Sequence, residues 1–320
     1  MISRLSRLFF LILFFTVSFT FKLYAQLLTP RVSPQAKIIQ YIGISTVGIE
    51  YSRPSVNGRT IWGKLVPFGL EKQPDGSEIP WRAGANENTI ISFSHDVKVE
   101  GKQLYAGSYG LHMIPGENEW IIIFSKNYTS WGSYTYDINE DALRVTVKPL
   151  QDNFLERLTY DFENITNSSA VFFLRWEKIK VPVKLEFDAE QIVIQNYKNQ
   201  LRGELGYLWE TWYEAAFYCM QNNTNLDQAE VWIRKSISIN QNPQNKNMLG
   251  YILKANNKTE EAIKVFMENI KIYPSDWNVY ESLAEALAET GRINEAVIYY
   301  KIVYEKAPDA QKPRIKDILN

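Results

Sequence analysis

The sequence predicts a multi-domain chain, an all-β sandwich followed by an all-α array of helical repeats. Three observations carry this. Apolar residues alternate with period two from Ala36 to Phe187, in short runs bounded by Gly, Pro, Asn and Asp. After Asp188 the period becomes helical. From there self-similarity appears at 33 to 34 residues, so that each unit repeats the chemistry of the one before.

The first 25 residues stand apart. Arg4 and Arg7 precede an apolar run from Leu8 to Phe21, and Leu23-Tyr24-Ala25 follows. A positive start, a short apolar run and a small residue at the cleavage position make a secretory signal peptide, so the expected organisation is 1–25 signal peptide, 26–188 β domain and 189–320 helical repeats. No later run approaches the ~20 apolar residues of a membrane helix, and the mature protein is expected to be periplasmic or secreted.

Removing residues 1–25 takes away Arg4, Arg7 and Lys22 and no acids, leaving 32 basic against 36 acidic side chains and a formal charge near −4. Nucleic-acid binding is disfavoured, because it needs a basic face to displace counterions. The single cysteine, Cys219, cannot form an internal disulfide and reads as a small buried residue on a helix. With two histidines, His95 and His112, and one cysteine, no imidazole or thiolate cage for a metal is available, and no calcium loop, Walker or dinucleotide glycine motif appears. No cofactor and no metal are expected.

In the β half, Val47, Ile49 and Tyr51 alternate with Gly48 and Glu50. Thr89–Ser94 and Asp96–Val99 follow, and Glu100-Gly101 turns the chain into Lys102–Leu104. Tyr109–Ile114 sets Leu111 and Met113 opposite His112, and Trp120–Phe124, apolar on both faces, reads as a strand covered on both sides. Leu143, Val145 and Val147, then Leu158, Tyr160 and Phe162, alternate with polar residues. Val171–Glu177 and Val181–Phe187 complete nine or ten strands, enough for two packed sheets.

In the helical half, Ala229, Ala262 and Ala296 share one repeat position, Ile233, Phe266 and Tyr300 lie four residues on, and Pro274 and Pro308 close the second and third units. Leu249-Gly250 and Leu283-Ala284 form the matching close-contact pair. This is the pattern of tetratricopeptide repeats, with units over 210–243, 244–276 and 277–310 and a covering helix over 190–202. Such an array presents a groove for a protein or peptide partner.

Candidate chemistry concentrates between Tyr51 and Thr89, where alternation stops and Arg, Trp, Gly, Asn and Glu crowd together. Arg53, Arg59, Arg82, Asn86 and Glu87, with His112 from the neighbouring strand, are the expected ligand-binding residues, because guanidinium forks with amide and carboxylate neighbours either grip an anion or brace one another. Three arginines against Glu87 favour a carboxylate-bearing, phosphorylated or acidic-sugar ligand. Trp62 and Trp81 serve either as stacking faces for a sugar or a base or as buried loop anchors. Ala106-Gly107-Ser108-Tyr109-Gly110 has the outline of a nucleophile elbow in strand context, and His112 is the one nearby base. The expected function is therefore a binding or scaffolding protein. A hydrolase with its site in the 51–89 loop region is the alternative, and a convergence of Ser108, His112 and a carboxylate is what would favour it.

The segments Glu50 to Arg59, Leu65 to Gly69, Trp81-Arg82-Ala83-Gly84-Ala85-Asn86-Glu87, Ala106 to Leu111, Ile114 to Glu117, Ala142 to Val145 and Trp176-Glu177 resemble, in order, the bacterial domain-of-unknown-function family 2911. The resemblance spans about 33–187 and implies the same β domain in a secreted protein, often with a repeat-like helical tail; it implies no activity and no catalytic residues. Leu70 to Pro80 is longer than the family's usual link before the Trp-Arg segment.

Overall fold

The structure is a computed structural model that describes residues 29–320; the signal-peptide segment expected at 1–25 lies outside the described residues. In chain order its strands are β1 (Gln35–Ile42), β2 (Ser45–Ser52), β3 (Glu71–Lys72), β4 (Glu78–Ile79), β5 (Thr89–Phe93), β6 (Val97–Val99), β7 (Lys102–Leu104), β8 (Gly107–Ile114), β9 (Trp120–Ser125), β10 (Asp141–Val147), β11 (Leu150–Glu163) and β12 (Ser169–Glu186). One antiparallel sheet runs β1-β2-β5-β8-β9-β10 and a second runs β11-β12-β6-β7, while β3 and β4 form a small ribbon inside the 53–88 excursion.

Alternation decides which side chains enter the core. Val47 and Ile49 of β2, Ile91 and Phe93 of β5, Leu111 and Met113 of β8, and Ile122 and Phe124 of β9 face Leu158, Tyr160, Phe172, Leu174, Val183 and Leu185 of the second sheet in one apolar cluster. The alternate residues of β8 and β9 point outward, yet His112 and Ile123 are buried too. Their cover is the 126–140 excursion. His112 and Ile123 are register partners, as are Ile123 and Arg144; Tyr136 packs edge-on against His112 and its hydroxyl reaches Arg144, so the ring spans that row.

Two strands expected as separate, Val171–Glu177 and Val181–Phe187, are one strand of 18 residues. Glu177 adopts a left-handed φ of 56° where the pairing with β11 slips register, yet Ile179 and Lys180 remain paired with Gln151 and Leu150. A bulge bends the strand there without ending it.

Eight helices follow: α1 (Ala189–Gln200), α2 (Trp209–Gln221), α3 (Leu226–Ile239), α4 (Pro243–Ala255), α5 (Thr259–Ile272), α6 (Trp277–Glu289), α7 (Ile293–Lys306) and α8 (Lys312–Leu319). The pairs α2/α3, α4/α5 and α6/α7 are the three repeats, and their buried alanines, Ala229, Ala262 and Ala296, sit in one continuous core. Gly250 of α4 lies against the Phe266 ring of α5, where a Cβ would collide with it. Asn242 caps α4, exchanging bonds with Asn245 at 2.9 and 3.0 Å, and Pro243 occupies the first turn, where its missing N–H costs nothing.

Helix α1 belongs to both cores. Ile192 packs against the sandwich, whereas Ile194 is buried in the helical cluster and the Tyr197 ring meets Tyr218 and Trp232.

Candidate functional site

The 53–88 excursion is anchored by tryptophans and braced by arginines. Trp62, Trp81, Trp120 and Trp176 form an aromatic knot with centroids 5.0 to 6.3 Å apart, so Trp62 and Trp81 are loop anchors in this structure. Trp81 also bridges to Met113, exchanging two backbone hydrogen bonds of 2.9 Å with β8.

The expected site residues divide into two groups. Arg53 reaches the second sheet, donating from Nε to the Leu158 carbonyl (3.0 Å) and from Nη2 to Thr159 Oγ1 (2.6 Å). Arg59 closes its own turn on the carbonyls of Val56 (3.0 Å) and Ser55 (2.5 Å). Glu87 accepts from Arg31 at 2.8 Å and from Ser52 at 3.4 Å; burial pushes its pKa up but is outweighed by hydrogen bonds and the Arg31 charge, so it stays below the usual carboxylate range.

Arg82, Asn86 and His112 are brought together. Arg82 donates from Nη1 to the Asn86 carbonyl (2.9 Å), and its guanidinium lies over the Tyr134 ring, 4.8 Å from the centroid. His112 Nδ1 is 2.8 Å from Ser133 Oγ. Burial, with the Arg82 charge added, lowers the imidazole pKa to about 4, so it is neutral at physiological pH. Asn88 is buried too; its Nδ2 donates to the Asn127 carbonyl (3.3 Å) while its Oδ1 has no partner among the described residues. The left-handed φ of Ala83 (52°) and Asn86 (60°) turns the backbone, and the Ala83 carbonyl accepts from Tyr160 (2.8 Å) and Thr89 (3.1 Å).

Ser108 and His112 do not meet. Ser108 Oγ bonds Ser92 Oγ at 2.8 Å on the open outer face of the first sheet, and no carboxylate completes the His112–Ser133 pair among the described residues. A cleft of about 690 Å³ lies elsewhere, between the β6/β7 edge and α1. Three of its polar groups are engaged locally: His95 with Ser94, Asp96 with the Ala106 N–H, and Asp188 with the Gln191 N–H. Among the described residues no group of three or more His, Cys, Asp and Glu side chains is placed to hold a metal, and no helix is long and apolar enough to cross a membrane.

The helical half offers the other site. Helix α2 packs on α4 and α4 on α6, whereas α3, α5 and α7 make at most marginal contact with one another. The first helices of the pairs therefore line the inside of the curve. On them, Tyr213, Asn247 and Glu281 recur 34 residues apart, as do Phe217, Tyr251 and Glu285. Asn247 donates to Asn278 (3.0 Å), Tyr251 donates to Glu285 (2.8 Å), and Lys254 pairs with Glu289 (2.6 Å), tying α4 to α6 along that face. None of these side chains emerged as a candidate from composition or motif, although the repeat register marks them once it is extended from the buried to the inward positions.

Residues 33–185 match a family described as a protein of unknown function (DUF2911), and residues 244–276 match the tetratricopeptide repeat. No curated protein matches the chain. Similar solved structures include MamA, 21% identical, covering 37% of this chain and 69% of that one with a TM-score of 0.33. The Yersinia enterocolitica type III secretion translocator chaperone SycD is 17% identical over 35% of this chain and 87% of that one, with a TM-score of 0.32. PcrH from Pseudomonas aeruginosa is 14% identical over 35% and 88%, with a TM-score of 0.31.

Proposed function

We propose, for a chain that joins a DUF2911 domain to tetratricopeptide repeats, a binding or scaffolding role outside the cytoplasm, periplasmic or secreted, in which the inner face of the helical array takes a peptide segment of a partner protein. One observation carries this reading: Phe217, Tyr251 and Glu285 stand at one repeat position on three successive inner helices, and Phe217 is 39% exposed among the described residues. A large aromatic in an open groove is a docking feature. A photo-crosslinking amino acid at Phe217 should capture a partner in native extract, while the same probe at Val231, on the outer helix of that repeat, should not. Equal labelling at both positions would overturn the reading.

A specific observation supports a second, smaller site in the β domain. Only Nη1 of Arg82 is hydrogen-bonded among the described residues, and Oδ1 of the buried Asn88, in the same 53–88 excursion, has no partner. Guanidinium donors left free on Arg82 and an unused acceptor on Asn88 fit an anionic or carbohydrate ligand that also brings a hydroxyl. Arg53, Arg59 and Glu87 brace the loop around it.

A further inference from the structure

The two rows of inward residues are not alike. In the row Tyr213–Asn247–Glu281 the last carboxylate is 6% exposed and is held at 2.6 Å by Arg314 of α8, so that row ends closed and neutralised. In the row Phe217–Tyr251–Glu285 the end is open. Glu285 is half-buried, and no Lys, Arg or His lies within 4.0 Å of it among the described residues. Its neighbours Glu281 and Glu289 each have a cation, supplied by Arg314 and Lys254. Among the described residues the one side-chain hydrogen bond of Glu285 comes from the Tyr251 hydroxyl, a neutral donor that brings no counter-charge. Burial and this carboxylate both hold the Tyr251 phenol protonated, well above its ordinary range. The groove thus runs from aromatic at α2, where the Tyr213 and Phe217 rings stack with centroids 6.3 Å apart, to an uncompensated carboxylate at α6.

We infer that the segment bound on the inner face carries a lysine or arginine seated on Glu285 and a large apolar or aromatic side chain seated on Phe217. The inference rests on the peptide-binding reading above and names the chemistry of the occupant. Charge complementarity selects it: an acidic segment would meet Glu285 with like charge, and a neutral one would leave the carboxylate half-desolvated without a counter-charge. Spacing follows from geometry. Packed helices have axes about 8–10 Å apart, so two steps from α2 to α6 span about 16–20 Å. An extended chain advances about 3.3–3.6 Å per residue, placing the two anchors about five or six residues apart.

The test is selection of a displayed library of random 12-residue peptides on the full chain, repeated on Glu285→Gln and Phe217→Ala, with circular dichroism to confirm that each variant is folded. The expected result is enrichment of peptides with Arg or Lys five or six residues from Phe, Trp, Tyr or Leu. Glu285→Gln, which keeps the shape and the bond from Tyr251, should remove the basic preference and weaken a selected fluorescein-labelled peptide roughly tenfold. Phe217→Ala should remove the apolar preference. Binding to the unaltered chain should also weaken as salt rises from about 50 to about 300 mM, which tests the charge without any variant. Selection of acidic or uncharged peptides, insensitive to Glu285→Gln and to salt, would overturn this inference and leave the groove reading standing. A selection that enriches nothing would overturn both.

Discussion

His112 Nδ1 and Ser133 Oγ, 2.8 Å apart, fasten the 126–140 excursion to the outer face of the first sheet. Because burial, reinforced by Arg82, lowers the imidazole pKa from 6.5 to about 4, the folded chain binds fewer protons at this site than the unfolded chain between those values. The stabilisation is therefore complete above about pH 6.5 and is lost as pH falls toward 4, by up to about 3 kcal/mol. Denaturant unfolding of the β domain at several pH values should show this slope, and His112→Asn should flatten it. A variant with the wild-type slope would remove His112 as its source.

Arg82→Ala separates bracing from binding at the same place. Loss of the bond to Asn86 and of the stacking on Tyr134 should lower stability by about 1–3 kcal/mol and expose the 82–88 turn to protease. In an anion and glycan screen of the folded wild-type protein, a ligand whose binding vanishes in Arg82→Ala supports the smaller site. A wild type that binds nothing in the screen leaves Arg82 a brace alone.

Much of this fold is legible in the sequence, and the illegible parts share a cause. Local periodicity places β2, β5, β8 and β9, and the 34-residue register places the helix pairs, because both signals are short in range. The partners of the arginines are long in range: Arg53 finds Leu158 and Thr159 more than 100 residues away, across the sandwich. Ser133 has no motif around it and gains its role only where the excursion folds over β8. The β12 bulge was hidden because Glu177-Lys178 carries no turn residue.

Gly250→Ala tests the close approach of α4 and α5. A methyl there meets the fully buried Phe266 ring, so the array should lose about 1–3 kcal/mol, read as an earlier loss of helical circular dichroism on heating. Gly291→Ala is a useful contrast, because space is open around it but its φ of 78° strains any side chain. Equal melting of Gly250→Ala and wild type would mean that the helices can separate at no cost.

Cys219 should be silent toward thiol reagents in the native protein. It is fully buried on α2, and burial, with the charge of Glu190 added, raises its thiol pKa to about 11. Ellman's reagent should count no thiol in native buffer at pH 8 and one in denaturant. Rapid native reaction would show that α2 opens from the array.

The two apolar cores should unfold as separate units, and α1 decides where to divide them. Ile192 packs on the sandwich, while Ile194 and Tyr197 pack on the repeats, so cutting at residue 188 strips a side chain from the first core. Removing a partly buried Ile from a core boundary costs about 1–2 kcal/mol. A fragment 26–200 should therefore melt at higher temperature than 26–188, with both giving strand-rich circular dichroism. The fragment 189–320 should melt cooperatively as a helical unit, because its core is continuous from Ile194 to Ile315. In the full chain, Ile192→Ser should lower only the strand-rich transition and Ile194→Ser only the helical one. If either substitution lowers both transitions together, the halves are one cooperative unit and α1 is its shared element rather than a hinge between two.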